Sequence, residues 1–317
     1  MGIWSYDRSA RSLSVEFHKM EILENQKFWS RVNVGLVILG LMVGLVFQQW
    51  PDNKLRLIFC DVGQGDASLI TFGSYQMLVD GGPNNSVLSC LGKNMPFWDK
   101  KIEVVAMTHS QADHMMGLIE VFERYEVEQF LASNVVNDTP EFWQLRKVVL
   151  EKEIKTKDLV KGDELRLGAV KLKVLWPKEK GDELLVWHGV EKDRQVLGAK
   201  SFQGDVNKVS LVLKGSLGKF DFLLTGDINK KIEGELEVGE VEILKVAHHG
   251  SRYSSSEEFL KKINPEVAVI SVGERNWFGH PTQTVLDRLG EIGARVLRTD
   301  EDGMVKIVSD GKNWWQE

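Results

Sequence analysis

THSQADHMMGL, Thr108–Leu118, follows directly on the apolar run Val104-Val105-Ala106-Met107. An apolar run that ends in His109, Asp113 and His114 displays imidazoles and a carboxylate at the end of a strand. Neutral His nitrogen and Asp oxygen are the usual donors to a divalent cation. Two further stretches repeat the pattern. FDFLLTGD brings Asp227 after one apolar run, and VEILKVAHHGS brings His248 and His249 after another. If these strands share a sheet, the donors converge on one edge, where the active sites of layered α/β folds lie.

Reading outward adds more motifs in a fixed order. Leu57–Asp66 is LIFCDVGQGD, Met77–Gly82 is MLVDGG, and Asn207–Leu213 is NKVSLVL. LLTGD, HHGSRYSSSEEFL, PEVAVISVG and GHP follow. Together they resemble the metallo-β-lactamase superfamily, whose signature is HxHxDH with a later Asp and His. Within it they are similar to the metallo-β-lactamase-type domain of the ComEC-family DNA-internalisation competence proteins. The similarity runs from about Leu55 to Val308 and implies an α/β fold, the αββα sandwich.

The resemblance also implies a ligand set. One site is complete, with Asp113, His114, Asp227 and His248; by motif position His248 is preferred to His249. The other is thinner. His109 is present, but Gln111 stands where the pattern has His, or Asp in the ComEC type. No third His follows a strand, since His188 lies in the unpatterned stretch Lys178–Gln203. The donors suit zinc or manganese, as one or two ions. Asp113 and Asp227 are the expected catalytic carboxylates. Asp80 in LVDGG matches a position that orients ligands from behind. Asp61, Gln64 and Asp66 lie on a loop expected to face the site. Asn207, Ser210 and His280 are expected contacts to ligands or substrate.

Composition limits the partners. Residues 1–50 hold five Lys/Arg and four Asp/Glu, so the remainder holds 35 basic and 42 acidic residues, a balance of −7. That argues against the broad electropositive surface of a sequence-blind nucleic-acid binder. A small local groove is still compatible with it, and bound cations offset part of the charge.

Phe28–Trp50 is uncharged from Val32 to Phe47 and carries Phe28, Trp29 and Trp50 at its ends. As a helix it would span roughly 34 Å, which reads as a single transmembrane helix with an aromatic belt. A cleaved signal peptide fits poorly, because 27 residues precede the run and no small-x-small site follows it. The expected organisation is a short polar segment (1–27), an anchor (28–50) and a metallo-β-lactamase-fold domain (51–317). Lys19, Lys27 and Arg31 before the run outweigh Lys54 and Arg56 after it. This predicts a single-pass protein of the cell membrane with an extracytoplasmic domain. Gly40 and Gly44 form a GxxxG pair of the kind that packs two anchors into a homodimer. Cys60 and Cys90 are the only cysteines, and two positions alone do not decide a disulfide.

Periodicity places strands at Leu55–Asp61, Ala67–Phe72 and Tyr75–Asp80, with a glycine turn between the first two. It places helices at Asp113–Tyr125 and Thr139–Glu153, and a strand pair around Gly168. A partial helix is expected around Ser14–Gln26, and a surface loop facing the substrate at Lys178–Gln203. Ser254 and Glu257 fit a capping box for a helix to Ile263, and Thr282 a cap for one through Ile292.

The expected function is metal-assisted hydrolysis of a phosphodiester, with DNA supplied as substrate by the resemblance alone. The family joins this domain to a multi-helix channel. A chain with one anchor would act alone or beside a separately encoded channel protein. Gln111 supports a second reading, a binding module with a degraded metal site. The acidic balance supports a third, hydrolysis of another ester or small phosphodiester.

Overall fold

Two apolar faces run along the strand Leu55–Phe59 (β1). Leu55, Leu57 and Phe59 point to one side, and Ile58 joins the core on the other. Period-two alternation with both faces buried requires a strand held between two apolar layers. The computed structural model has this arrangement. It describes residues 25, 28–46, 49–133, 137–178 and 205–317. Most of the helix expected at Ser14–Gln26 lies outside them, as does the expected loop from 179 onward, with His188.

The chain divides into Met1–Trp50 and Pro51–Glu317. In the first unit, Phe28–Val46 forms a helix (α1) of 19 residues with mean hydropathy 1.8. It is long and apolar enough to cross a membrane, and its side chains are exposed rather than packed in a core.

The second unit holds two sheets. The first contains β1, β2 (Ser68–Phe72), β3 (Tyr75–Val79), β4 (Lys101–Met107), β5 (Glu126–Ala132) and β6 (Lys155–Asp158). Two late strands, β14 (Val305–Ser309) and β15 (Trp314–Gln316), extend it, giving the order β15-β14-β1-β2-β3-β4-β5-β6. The second contains β7 (Glu164–Leu167), β8 (Val170–Trp176), β9 (Val212–Leu217), β10 (Phe220–Leu224), β11 (Ile243–Lys245), β12 (Val267–Ile270) and β13 (Arg295–Arg298). Its order runs from β13 down to β7.

Leu57, Met77, Leu213 and Phe222 belong to the core between the sheets. Helices α2 (Ser86–Asn94), α3 (Ala112–Arg124) and α4 (Pro140–Glu151) supply the residues packed on the outer face of the first sheet. Helices α6 (Glu257–Ile263) and α7 (Gln283–Glu291) do the same for the second, beside the single turn α5 (Lys230–Glu233). A last single turn is α8 (Thr299–Asp302). The architecture is the αββα sandwich of the metallo-β-lactamase type.

Two caps differ from the sequence reading. Ser256, not Ser254, precedes α6, and its turn is held by the buried Glu233 carboxylate. Ser256 donates to it through N–H at 2.8 Å and through the hydroxyl at 2.9 Å. A carboxylate from a remote turn replaces the local box because it also fixes the loop leading out of the HHGS stretch. Thr282 sits at the cap of α7, but its hydroxyl donates to Gly250 O at 3.1 Å. It ties the helix to the same loop. Trp314 and Trp315 lie in the short edge strand β15, paired with β14.

Cys60 and Cys90 form a disulfide, Cα to Cα 5.8 Å. It fastens the end of β1 to α2, a pairing of residues 30 apart that only the folded chain reveals.

Candidate metal centre

Parallel pairing sets the direction of the loops that carry the site. Strand β3 runs parallel to β4, while β10, β11 and β12 run parallel to one another. Asp80 follows β3, His109 to His114 follow β4, Asp227 follows β10, and His248 and His249 follow β11. These residues therefore gather at carboxyl ends of strands, the edge where open α/β sheets bind ligands.

Close backbone approach locks the loops together. Gly65 has φ +154, and a Cβ there would stand 2.2 Å from Asp113 O. The next residue's N–H, that of Asp66, donates to Asp113 O at 3.1 Å. A Cβ on Gly117 would stand 2.0 Å from Gly81 O. That contact seats the first turn of α3 on the LVDGG loop, where Gly81 N–H donates to His114 O at 2.6 Å. The glycines of GQGD, LVDGG and HMMG thus bring Asp66, Asp80 and His114 to one point.

Four side chains meet there. Asp66, His114, Asp227 and His249 each offer one donor atom, and these atoms lie within 4.8 Å of one another. All four are buried. His114 Nε2 lies 3.5 Å from Asp227 Oδ1, and His249 Nε2 lies 3.6 Å from Asp227 Oδ2. His114 Nε2, His249 Nε2, Asp227 Oδ1 and Asp66 Oδ1 are buried without a hydrogen-bond partner. Orphaned polar atoms in a core are costly, so the two Nε2 atoms converging on Asp227 fit a divalent cation, with Asp66 Oδ1 3.8 Å from the Nδ1 side of His249. Two imidazoles and two carboxylates are a zinc or manganese donor set.

Each imidazole is oriented from behind. His114 Nδ1–H donates to Asp80 Oδ2 at 2.8 Å, and His249 Nδ1–H donates to Ser271 O at 2.8 Å. Both bonds leave Nε2 as the atom turned into the cluster. Asp80 is itself held by Thr108, whose N–H and hydroxyl each donate to its carboxylate at 2.7 Å. Asp227 is anchored through its N–H, which donates to Ser210 Oγ at 3.2 Å.

The electrostatics follow from this crowding. Burial works against a charge on His114, yet Asp227, Asp80 and Asp113 overcome it and hold its pKa well above 6.5. His249 is raised likewise, with Asp227 and Asp66 prevailing over burial. Burial would raise Asp227, but His114 and His249 hold it well below the carboxylate range. Lys245, 3% exposed at the end of β11, pairs directly with Asp66. That ammonium neutralises one of the carboxylates in place.

The structure distributes the sequence candidates in a way the motifs did not. Asp66 and His249 enter the four-residue cluster. Asp113, half-exposed, stands at its margin with Oδ2 3.4 Å from His249 Nε2. Burial would raise Asp113, but His114 and His249 bring its pKa down to about 2. His248 is partly exposed, and its Nε2 lies 3.8 Å from Asp227 Oδ2. His109 lies beside the cluster, with its ring centroid 4.1 Å from that of His114. Burial and the charge of His114 push His109 down to about 4, and its Nε2–H donates to Gln111 Oε1 at 3.1 Å. Among the described residues, one such cluster is found.

The remaining candidates sit further out. Gln64 Oε1 accepts from Gly273 N–H at 3.2 Å, and exposed Asp61 accepts from Gly63 N–H at 3.3 Å. Asn207 buries its Oδ1 without a partner. The His280 ring lies 5.9 Å from that of His248.

His248 and His249 have φ 51° and 52°, the left-handed region. Two such residues in succession turn the second ring inward, which motif position could not show. Lys245 was missed altogether. Its signal was a lone cation inside the otherwise apolar run that leads into HHGS.

No protein-family model matches the chain. It is 28% identical over 270 residues to ComE operon protein 3 of Bacillus subtilis, covering 78% of this chain and 32% of that protein. Competence protein ComA of Neisseria gonorrhoeae is 26% identical, covering 81% and 33%. Recombination protein 2 of Haemophilus influenzae is 27% identical, covering 87% and 32%. The chain thus spans about a third of the length of these relatives. Among solved structures, the metallo-β-lactamase-fold protein YhfI of Bacillus subtilis is similar at 12% identity and TM-score 0.49, covering 83% of this chain and 100% of that one. Igni18, a metallo hydrolase of Ignicoccus hospitalis, is similar at 14% identity and TM-score 0.48, covering 79% and 98%. In sequence, then, the chain is similar to ComEC-family competence proteins, and it folds as a two-sheet αββα sandwich.

Proposed function

We propose that the chain is a membrane-anchored, metal-dependent phosphodiesterase that acts on DNA. The observation that carries this reading is the pair His114 and His249. Each Nδ1 is held by an acceptor, and each Nε2 is buried, unpartnered and turned toward Asp227 and Asp113, while Asp66 lies on the Nδ1 side of both rings. Asp66, His114, Asp227 and His249 would hold one zinc or manganese ion. Such an ion supplies Lewis acidity toward a phosphoryl oxygen and acidifies water. The chain's own groups do the rest. Asp227 faces both imidazoles, Lys245 offsets Asp66, and Asp113 Oδ2 is the ionised acceptor at the open margin, where it can orient an incoming water. DNA as substrate rests on similarity to competence proteins.

The disulfide supports an extracytoplasmic domain, since such bonds persist in oxidising compartments. It agrees in direction with the positive charges before α1. Beyond DNA, this reading takes in a separately encoded channel protein and a second copy of the chain through Gly40 and Gly44. Crosslinking in membranes tests both.

The deciding experiment measures metal content of the full chain by mass spectrometry and cleavage of DNA with manganese or with chelator. The proposal expects about one ion per chain and cleavage that chelator and Asp227→Asn abolish. A protein that retains no metal and cleaves nothing would be a binding module, the reading Gln111 favours.

A further inference from the structure

Glu233 ends the single turn α5 and is 1% exposed. Among the described residues no lysine or arginine forms an ion pair with it; its partners are three donors of the turn before α6. Ser255 N–H donates to Oε1, and Ser256 donates to Oε2 through N–H at 2.8 Å and through its hydroxyl at 2.9 Å. Burial pushes the Glu233 carboxyl up, and these donors work against it. Capping a helix needs none of this, because a local Ser or Thr hydroxyl serves an amide without burying a charge. A buried carboxylate in that place joins two segments of chain.

The two segments are those that carry Asp227 and His249. Glu233 lies six residues after Asp227, and Ser255 lies six after His249. Each stretch is stiffened from within. In the first, Asn229 Oδ1 accepts from Lys231 N–H at 3.1 Å and from Ile232 N–H at 3.3 Å. In the second, Ser251 N–H donates to His248 O at 2.9 Å, and the Ser254 hydroxyl donates to Ala247 O at 2.9 Å. Two bonds run between them, His248 N–H to Gly226 O at 3.2 Å and Lys230 N–H to Tyr253 O at 3.0 Å. Glu233 closes the far end of this frame. At its near end His249 Nε2 stands 3.6 Å from Asp227 Oδ2. The second stretch is also strained, with φ 51° at His248, 52° at His249 and 53° at Ser255. Left-handed backbone outside glycine persists where the surroundings over-determine it.

We infer that Glu233 is a positioning residue of the metal centre: by gripping Ser255 and Ser256 it sets where His249 Nε2 stands relative to Asp227. It touches neither donor and acts through the loop. This rests on reading Asp66, His114, Asp227 and His249 as one metal centre, and it adds what keeps two of those donors at their spacing. Arg288 on α7 holds the same turn from its other side, Nη1 donating to Ser255 O at 3.1 Å.

The test is binding of cobalt(II) to the full chain in detergent micelles. Competition with a chromophoric chelator reads the affinity, and the visible absorption of the bound ion reads the donor geometry. Glu233→Gln keeps the volume but turns an amide N–H on one of the three donors. It should weaken cobalt binding at least about ten-fold and shift the visible bands. Leu289→Ala, a cavity in the core beneath α7, lowers the melting temperature without touching the loop. It should keep the parent's affinity and bands. The inference is overturned if Glu233→Gln melts lower yet binds cobalt as the parent does, which would leave Glu233 a cap alone. It is equally overturned if Leu289→Ala shifts the bands in the same way, since loosening anywhere would then suffice. If Glu233→Gln does not fold, Ser256→Ala decides: a smaller loss of affinity in the same direction supports the inference, and no loss overturns it. The readings fail separately. A parent that binds no cobalt sinks the metal centre and this inference together, whereas a parent that binds it with Glu233→Gln indifferent sinks this inference alone.

Discussion

Asp80 Oδ2 accepts the Nδ1–H of His114 at 2.8 Å, and this bond determines that His114 turns Nε2 toward Asp227. Asp80 pays for its own left-handed backbone, φ 61°, through two bonds from Thr108 and one from its N–H to Ala106 O. Replacing Asp80 with Ala should therefore lower metal affinity about 10–100-fold while leaving the sandwich intact. Competition with a coloured chelator measures the affinity, and circular dichroism checks the fold. Unchanged affinity would show that the cluster orients itself.

Lys245 carries the second prediction. Lys245→Met removes the ammonium paired with the buried Asp66 and leaves that carboxylate only the more distant His114 and His249 rings. Breaking such a pair costs about 3–5 kcal/mol in a buried setting. The ion-free protein should melt several degrees lower, and added zinc should recover more of the loss than it adds to the parent. Calorimetry with and without zinc reads both effects; equal shifts in the two proteins would separate Lys245 from the metal centre.

The histidines set a pH dependence with opposite signs in the two states. The folded pKa values of His114 and His249 lie above the unfolded value near 6.5. Their contribution to the ion-free protein is complete below that value and is lost as pH rises through the raised folded pKa values. Metal requires both rings neutral, so metal affinity grows over the same interval and binding releases protons. Isothermal titration in buffers of different ionisation enthalpy counts those protons. A count of zero at neutral pH would contradict this account.

Cys60→Ser with Cys90→Ser opens a ring of about 30 residues, a loss of about 3–4 kcal/mol on the chain-entropy account. The double variant should melt lower and retain metal less well, because Asp66 and Asp80 both lie inside the ring. Denaturant melts followed by metal analysis check this, and a variant as stable as the parent would remove the disulfide from the argument.

Much of this was legible in the sequence. The apolar runs before His109, Asp227 and His248 are strands because they hold β-branched and aromatic residues with both faces buried. The helix starting at Asp113 follows from Met116, Ile119 and Phe122 at helical spacing. What stayed hidden depends on geometry that spacing does not encode. Which of two adjacent histidines turns inward is decided by two left-handed residues in succession. The Asp66 donor reaches the centre only because Gly65 admits Asp113 O at a distance no side chain would allow. The cap of α6 comes from Glu233, 23 residues before the Ser256 it serves, and no local box could have announced it.

The disulfide has a consequence in time as well as in strength. Its ring encloses β2, β3 and the loops of Asp66 and Asp80, so it fastens the half of the centre that holds one donor and the acceptor behind another. In a reducing cytoplasm those two thiols stay open. A chain with both thiols reduced would keep an ion less well than the oxidised one, so the redox poise of its surroundings would decide when the centre fills.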